Sequence, residues 1–217
     1  MIVSERRKPT PATVGLAWDG KRMWVGDWQD SFIAALDASG DVDLRFAAPG
    51  RVYGMAFSDA GLHAVIGHPE SDDRTIHLFK PEAGAWDKQA LRCPDFTGSH
   101  LAWDGGHLWL GQRYAKRLLQ LHADGTVKHT VDLPWEVTGF TWRGATAWLN
   151  VRVEKGASSV ASLGPGAERP TAVERLEGSL ASLADDGSGF WMAQLRGENI
   201  VKCAPTPSHM PPVTGLP

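Results

Sequence analysis

The sequence predicts an all-β fold, a five-bladed β-propeller of four-stranded antiparallel blades. The first observation behind this prediction is a phrase, Gly-Leu-Ala-Trp-Asp-Gly followed by an apolar stretch with tryptophan, that recurs five times. Its copies occupy residues 15–26, 54–67, 100–111, 139–150 and 182–193, and the copy at 54–67 is two residues longer than the others. The second observation is the spacing: the copies start 39, 46, 39 and 43 residues apart. A repeat of about 40 residues in a strand-rich chain is typical of propeller blades.

Each repeat divides into four predicted strands, the first two of which lie within the phrase. Third strands are predicted at 32–36, 76–79, 117–121 and 159–163, and fourth strands at 42–46, 88–92, 128–133 and 172–176. Asp-Gly and Ser-Gly pairs, which favour tight turns, separate many of these strands. No segment sustains the apolar period of a helix.

The last repeat contains only three strands, predicted at 180–185, 190–194 and 199–203. An isolated strand at 1–8, which ends before a proline, is predicted to supply the fourth. Pairing the two ends of the chain closes the ring and leaves no open sheet edge. We therefore expect one propeller domain over residues 1–204 and a proline-rich tail over 205–217.

The composition is that of an ordinary globular protein. The chain has 217 residues, of which 42% are hydrophobic, and a net charge of −3. This charge argues against nucleic acid or an anionic membrane as a partner. No apolar run approaches the ~20 residues of a membrane helix, and the N-terminus lacks the apolar core of a signal peptide, which predicts a cytoplasmic protein. The two cysteines indicate neither a disulfide scaffold nor a zinc site.

Tryptophan is the unusual component, with ten residues in the chain. Four of them share one position of the repeat: Trp24, Trp109, Trp148 and Trp191. Large aromatic side chains dominate the burial of apolar surface. We therefore expect these four to pack between blades rather than to bind a ligand.

Candidate functional residues concentrate on one face of the predicted disc. The links between blades and the loops after each second strand share this face. They carry aromatic, guanidinium, imidazole and carboxylate groups, the mixture that a small-molecule pocket needs. The predicted ligand-binding residues are Tyr53, Trp28, Asp27, Gln112, Arg113, Tyr114, Arg152, Gln194 and Arg196. The opposite face carries ordinary turn residues and needs no function.

Three residues are candidates for chemistry in a central channel. Glu136 is the one carboxylate in an inter-blade link, which suits an acid, a base or a metal ligand. His68 fits a general base, a metal ligand or a loop histidine without a role, and it is expected on one ring with Asp27, Gln112 and Gln194. His100 replaces a Gly or Ser of other repeats, so it either faces the channel or is a packed histidine. Arg113 and Arg152 either bind an anionic group or pair with Glu154 or Glu198.

The repeated phrase resembles the repeats of gluconolactonase/SMP-30-like, streptogramin lyase-like and NHL-like propellers. The resemblance covers most of the chain as a repeat style, although those families usually have six or seven blades. The lactonase-like enzymes hold a divalent metal with side chains just before the first glycine of a repeat. The matching positions here are Val14, Tyr53, Ser99, Thr138 and Ala181. None is a carboxylate or an asparagine, so this metal site does not carry over.

The sequence favours a small-molecule enzyme of hydrolase or lyase type, with an ester or lactone among the expected substrates. His68, His100 and Glu136 would supply acid-base chemistry or, if a divalent metal is bound, its ligands; no motif specifies a cofactor. The alternative is a propeller that binds a small ligand or a protein without catalysis. The loops after the second strands differ from blade to blade, which favours one composite site over five equal ones.

Overall fold

The computed structural model describes residues 2–154 and 157–204, and these form five four-stranded antiparallel sheets arranged as a β-propeller. The predicted tail, 205–217, lies outside the described residues. Within them, no helix has the length and hydropathy that crossing a membrane requires. The strands are β1 (Ile2–Arg7), β2 (Thr13–Trp18), β3 (Met23–Asp27), β4 (Phe32–Leu36), β5 (Val42–Ala47), β6 (Arg51–Ser58), β7 (Gly61–Gly67), β8 (Arg74–Lys80), β9 (Ala85–Arg92), β10 (His100–Trp103), β11 (Leu108–Gln112), β12 (Arg117–Leu121), β13 (Val127–Asp132), β14 (Glu136–Arg143), β15 (Thr146–Glu154), β16 (Ala157–Leu163), β17 (Thr171–Leu176), β18 (Leu180–Asp185), β19 (Phe190–Gln194) and β20 (Asn199–Cys203).

Blades one to four are consecutive in sequence: β2–β5, β6–β9, β10–β13 and β14–β17. Blade five has the order β1-β20-β19-β18, so the N-terminal strand completes the last sheet, as predicted. Lys8 fastens this seam. The residue is 5% exposed, and its Nζ donates to the carbonyls of Pro11 (2.7 Å) and Gln194 (2.8 Å). The ammonium thus joins the link into blade one to the second strand of blade five.

The core lies between neighbouring blades, and the repeated tryptophans fill it. Trp24 of blade one packs on Phe79 of blade two, with ring centroids 5.9 Å apart. Trp109 packs on Trp142 of the next blade at 5.2 Å, and Trp148 on Phe190 at 5.1 Å. Trp191 of blade five clusters with Leu16, Met23 and Val25 of blade one, so all four repeated tryptophans pack between blades, as expected.

The Asp-Gly turns hold these tryptophans in place. One carboxylate oxygen of Asp104 accepts the backbone N–H groups of the turn, and the other accepts the indole N–H of Trp109 at 2.7 Å. Asp19 with Trp24 (2.8 Å) and Asp186 with Trp191 (2.7 Å) repeat this arrangement. Burial alone raises the pKa of Asp104, but the indole and backbone hydrogen bonds outweigh burial and hold it below its usual value.

Blade two corrects the alignment of the repeats. Gly54 pairs with Val65 as Gly15 pairs with Gly26, so the copy at 54–67 carries no insertion between its first two strands. Because Thr13 pairs with Asp27 and Val52 with Ile66, Ile66 is the counterpart of Asp27. His68 therefore lies two residues beyond the position assigned to it from the sequence, in the loop after β7.

Candidate functional site

Each copy of the repeated phrase is preceded by one residue that faces the propeller axis. These five residues meet around one cavity of about 290 Å³ on the predicted functional face. We call this cavity the cup. These five residues are Val14, Tyr53, Ser99, Thr138 and Ala181. The rest of the lining is Trp28, Arg74, His100, Arg113, Tyr114 and Leu195. One residue from every blade thus contributes to a single composite site.

The cup is closed below by the inner strands. Small residues at the start of the inner strands let the strands approach one another closely. A Cβ on Gly54 would lie 2.5 Å from the carbonyl oxygen of Ser99 and 2.6 Å from the Cα of His100. The layer of residues at this depth leaves no space for a water molecule. Any ligand must therefore enter and leave by the mouth of the cup.

Two guanidinium groups and three aromatic rings surround the mouth. The Cζ of Arg74 lies 3.7 Å from the centroid of the Tyr53 ring, and that of Arg113 lies 5.0 Å from the Tyr114 ring. Trp28 and Tyr114 remain 40% and 77% exposed, respectively. Among the residues that the structure describes, no carboxylate lines the cup, although Asp72 approaches Arg74 at 3.3 Å and Glu136 approaches Arg113 at 3.0 Å from outside. The lining therefore favours a ligand with a flat apolar part and a negatively charged or carbonyl oxygen.

His100 borders both the cup and the closed layer beneath it. The residue is 8% exposed, and its Nδ1 has no hydrogen-bond partner among the described residues. Burial, together with the charges of Arg113 and Arg74, lowers the pKa of His100 to about 3, so the ring is neutral at neutral pH. An unpaired buried nitrogen is uncommon in a folded protein, since leaving it without a partner is costly.

Asp27 and Gln112 do not reach the cup, contrary to expectation. Both are buried and serve the loops beside them. Asp27 accepts a hydrogen bond from Thr10 and two from the backbone of its own turn. The Gln112 amide donates to two carbonyls of the 94–97 link and accepts from Arg117. The polar atoms of both side chains are used in hydrogen bonds to the neighbouring loops, because the strand register directs them there rather than towards the axis.

His68 is also absent from the cup. It lines a separate cavity of about 480 Å³ with His77, Arg92 and Phe96, and its Nδ1 accepts the backbone N–H of Glu70 at 3.3 Å. In the part of the chain that the structure describes, no three His, Cys, Asp or Glu residues are placed to hold a metal ion. The predicted trio His68, His100 and Glu136 is therefore not brought together, and of the three only His100 lines the cup.

Arg113, Arg152, Gln194 and Arg196 line a second cavity on the same face, of about 660 Å³. We call it the arginine groove. It lies beside the cup, because Arg113 and Leu195 belong to both linings. Glu136 stands behind the groove, 3.0 Å from Arg113 and 4.0 Å from Arg152. Glu136, the candidate acid or base, thus positions two arginines; Glu198 pairs with Arg7 instead, and the side chain of Glu154 lies outside the described part of the chain.

Arg74 and Leu195 line the cup although the sequence analysis did not consider them, and Val14, Ser99, Thr138 and Ala181 were compared only with metal-binding positions. Arg74 begins β8, where a charged residue looks like an ordinary strand end. Its guanidinium donates to the carbonyl of Gly98 and so crosses to the link of the next blade. The longer loop between β7 and β8 was the available signal, since extra residues there bring a new side chain towards the axis.

The comparisons with known proteins show structural likeness without close sequence relatives. No family model and no curated protein matches the chain. Glutaminyl cyclase from Myxococcus xanthus superposes with a TM-score of 0.71 at 14% identity, over 93% of this chain and 94% of that one. The PQQ-bound aldose sugar dehydrogenase from Streptomyces coelicolor gives 0.60 at 15% identity, over 93% and 80%.

Streptogramin-type lyases are also among the similar structures. Virginiamycin B lyase from Staphylococcus aureus gives a TM-score of 0.54 at 14% identity, over 93% of this chain and 70% of that one. These likenesses confirm the predicted β-propeller fold. At these identities the likeness establishes the fold and leaves the activity to the site itself.

Proposed function

We propose that this protein is an enzyme of hydrolase or lyase type that acts on a small molecule held in the cup. The observation that carries the proposal is the unpaired Nδ1 of buried His100 at the edge of the cup. Because this nitrogen is itself buried, the ring would have to turn towards the cup before a ligand could offer it a hydrogen bond. The similar structures include proteins named as a lyase and a cyclase, which supports an enzymatic use of this fold.

The groups around the cup suggest a division of roles. His100 would accept a proton from the ligand as neutral imidazole and return it as imidazolium to the leaving group. Arg74 and Arg113 would orient an oxygen and stabilise negative charge that develops on it during ester or lactone cleavage, or during elimination. Tyr53, Trp28 and Tyr114 would cover the apolar part of the ligand and exclude water.

The second candidate function is ligand binding without catalysis. The low pKa of His100 favours it, because the empty site holds a weak base at neutral pH. Burial is the main cause of the low pKa, and a bound anion would offset the smaller contributions of Arg113 and Arg74 and so raise the pKa. Catalysis by His100 therefore requires a ligand with negative charge, whereas simple binding does not.

Turnover of small anionic esters and lactones, with 4-acetoxybenzoate and 5-oxotetrahydrofuran-3-carboxylate as first probes, tests the proposal in the wild type and in His100→Gln. We expect the variant to fold normally and to lose about a hundredfold in turnover, as expected when a proton-transfer group is removed. Thermal shifts with the same probes report on binding separately. His68→Ala is the matched control and should leave both quantities unchanged, because His68 lies in another cavity.

Three outcomes separate the candidate functions. Binding that depends on His100 without turnover of any probe would support the binding protein. Turnover that survives in His100→Gln would remove His100 from the chemistry. If neither binding nor turnover responds to His100→Gln, the cup is not the functional site.

A further inference from the structure

We propose that the arginine groove is an anion subsite, so that the ligand has two parts: an apolar ring in the cup and a carboxylate or phosphate arm in the groove. This inference rests on the proposed function, because it assumes that the cup holds the rest of the same molecule. The two cavities adjoin through Arg113 and Leu195. One molecule can therefore contact both.

The groove carries more positive than negative charge. Its arginines come from three different blades: Arg113 from blade three, Arg152 from blade four and Arg196 from blade five. Within residues 2–153 and 157–204, Glu177 is the one carboxylate in its lining, and Glu136 is shared between Arg113 and Arg152. Counting these two carboxylates against three guanidinium groups leaves a positive site.

The guanidinium groups differ in how firmly they are held. Arg152 donates to the Ser179 hydroxyl at 2.7 Å and lies 4.0 Å from Glu136, so its position is set before a ligand arrives. Arg196 is exposed and has no hydrogen bond or ion pair among the described residues. Planar guanidinium forks match the geometry of carboxylate and phosphate. Arg152 is thus a preorganised contact, and Arg196 is free to close on the arm.

Paired probes with the same ring test the subsite. Phenethyl phosphate and hydrocinnamate carry an anionic arm, whereas phenethyl alcohol carries a neutral one. We expect both anions, or one of them, to bind at least about tenfold more tightly than the alcohol by calorimetry, as a charge-assisted contact provides. The tighter of the two anions identifies the arm as phosphate or carboxylate.

Substitutions locate the arm. Arg196→Gln and Arg152→Gln should each weaken the anionic probe about tenfold and leave the alcohol unchanged. Arg196 is the safer variant, since it supports no other group. Lys21→Gln is the matched control, because it removes one exposed positive charge from a turn on the opposite face.

The outcomes distinguish this inference from the proposed function. If no anionic probe binds more tightly than the alcohol at millimolar concentration, or if Arg196→Gln and Arg152→Gln both behave like Lys21→Gln, the anion subsite is wrong. The cup can still bind the alcohol in a manner that depends on His100. The opposite result is that anions bind through the arginines while His100→Gln changes neither turnover nor binding of any probe. The anion subsite would then be supported, and the proposed function would be wrong.

Discussion

The burial of His100 makes a prediction about stability that needs no knowledge of the ligand. The perturbation is His100→Gln, which removes a titrating ring and keeps a neutral polar side chain at the edge of the cup. Because Nδ1 of His100 has no partner among the described residues, this change breaks no hydrogen bond of that atom. Any difference between the two proteins that depends on pH must then come from the proton that the imidazole can bind.

The sign and size of the effect follow from the pKa of His100. In the folded protein, burial of the ring and the charges of Arg113 and Arg74 lower this pKa from 6.5 to about 3. The unfolded chain therefore binds more protons than the folded one between these values, and stability falls as the pH drops through this window. Between about pH 8 and pH 5, His100 should lower the free energy of unfolding by about 2 kcal/mol.

Urea denaturation at the two pH values measures the effect in both proteins. The wild type should lose about 2 kcal/mol more than His100→Gln on going from about pH 8 to pH 5. Burial also lowers the pKa values of His63 and His77, but these residues are present in both proteins and cancel in the difference. Equal pH dependence in wild type and variant would show that His100 is solvated or paired, which would remove the unpaired nitrogen from the argument.

Three further predictions concern the scaffold. Asp104→Ala leaves the Trp109 indole N–H unpaired and should lower the free energy of unfolding in urea by about 2 kcal/mol, against little change for exposed Asp59→Ala. Because the folded-state pKa of Asp104 lies below 3.8, this difference should shrink as the pH falls below about 4. Lys8→Met leaves two carbonyls without their donor and should destabilise by about 3 kcal/mol at neutral pH in the same assay, whereas Lys21→Met should not. Gly54→Ala places a Cβ 2.5 Å from a carbonyl oxygen and should lower the melting temperature, whereas Gly106→Ala, with nothing nearer than 3.7 Å, should not.

An ion pair between blades four and five joins two residues that depart from the repeat. Arg143 replaces the turn aspartate of blade four, and Asp185 occupies the place of Trp18 in blade five. The two form a part-buried ion pair between the blades, with Nε of Arg143 2.7 Å from a carboxylate oxygen of Asp185. Each exception in the sequence thus compensates for the other. The sequence alone does not show this, because the two residues lie 42 positions apart.

The five-fold repeat, the strands and the closure of the ring could be predicted from the sequence, because they depend on local signals. The Asp-Gly turn fixes its own tryptophan five residues later, and apolar alternation marks each strand without reference to other blades. The face that holds the cup also followed from the order of strands.

The membership of the site was decided by the tertiary structure. A shift of two residues in the alignment of blade two moved His68 from the inner ring to a separate cavity. Asp27 and Gln112 form hydrogen bonds with their loops, and Glu136 pairs with two arginines. Arg74, at the start of a strand, lines the cup. These outcomes depend on which side chains of different blades come within a few ångströms of one another. Local sequence does not specify such distances, because they are set by the packing of all five blades around the axis.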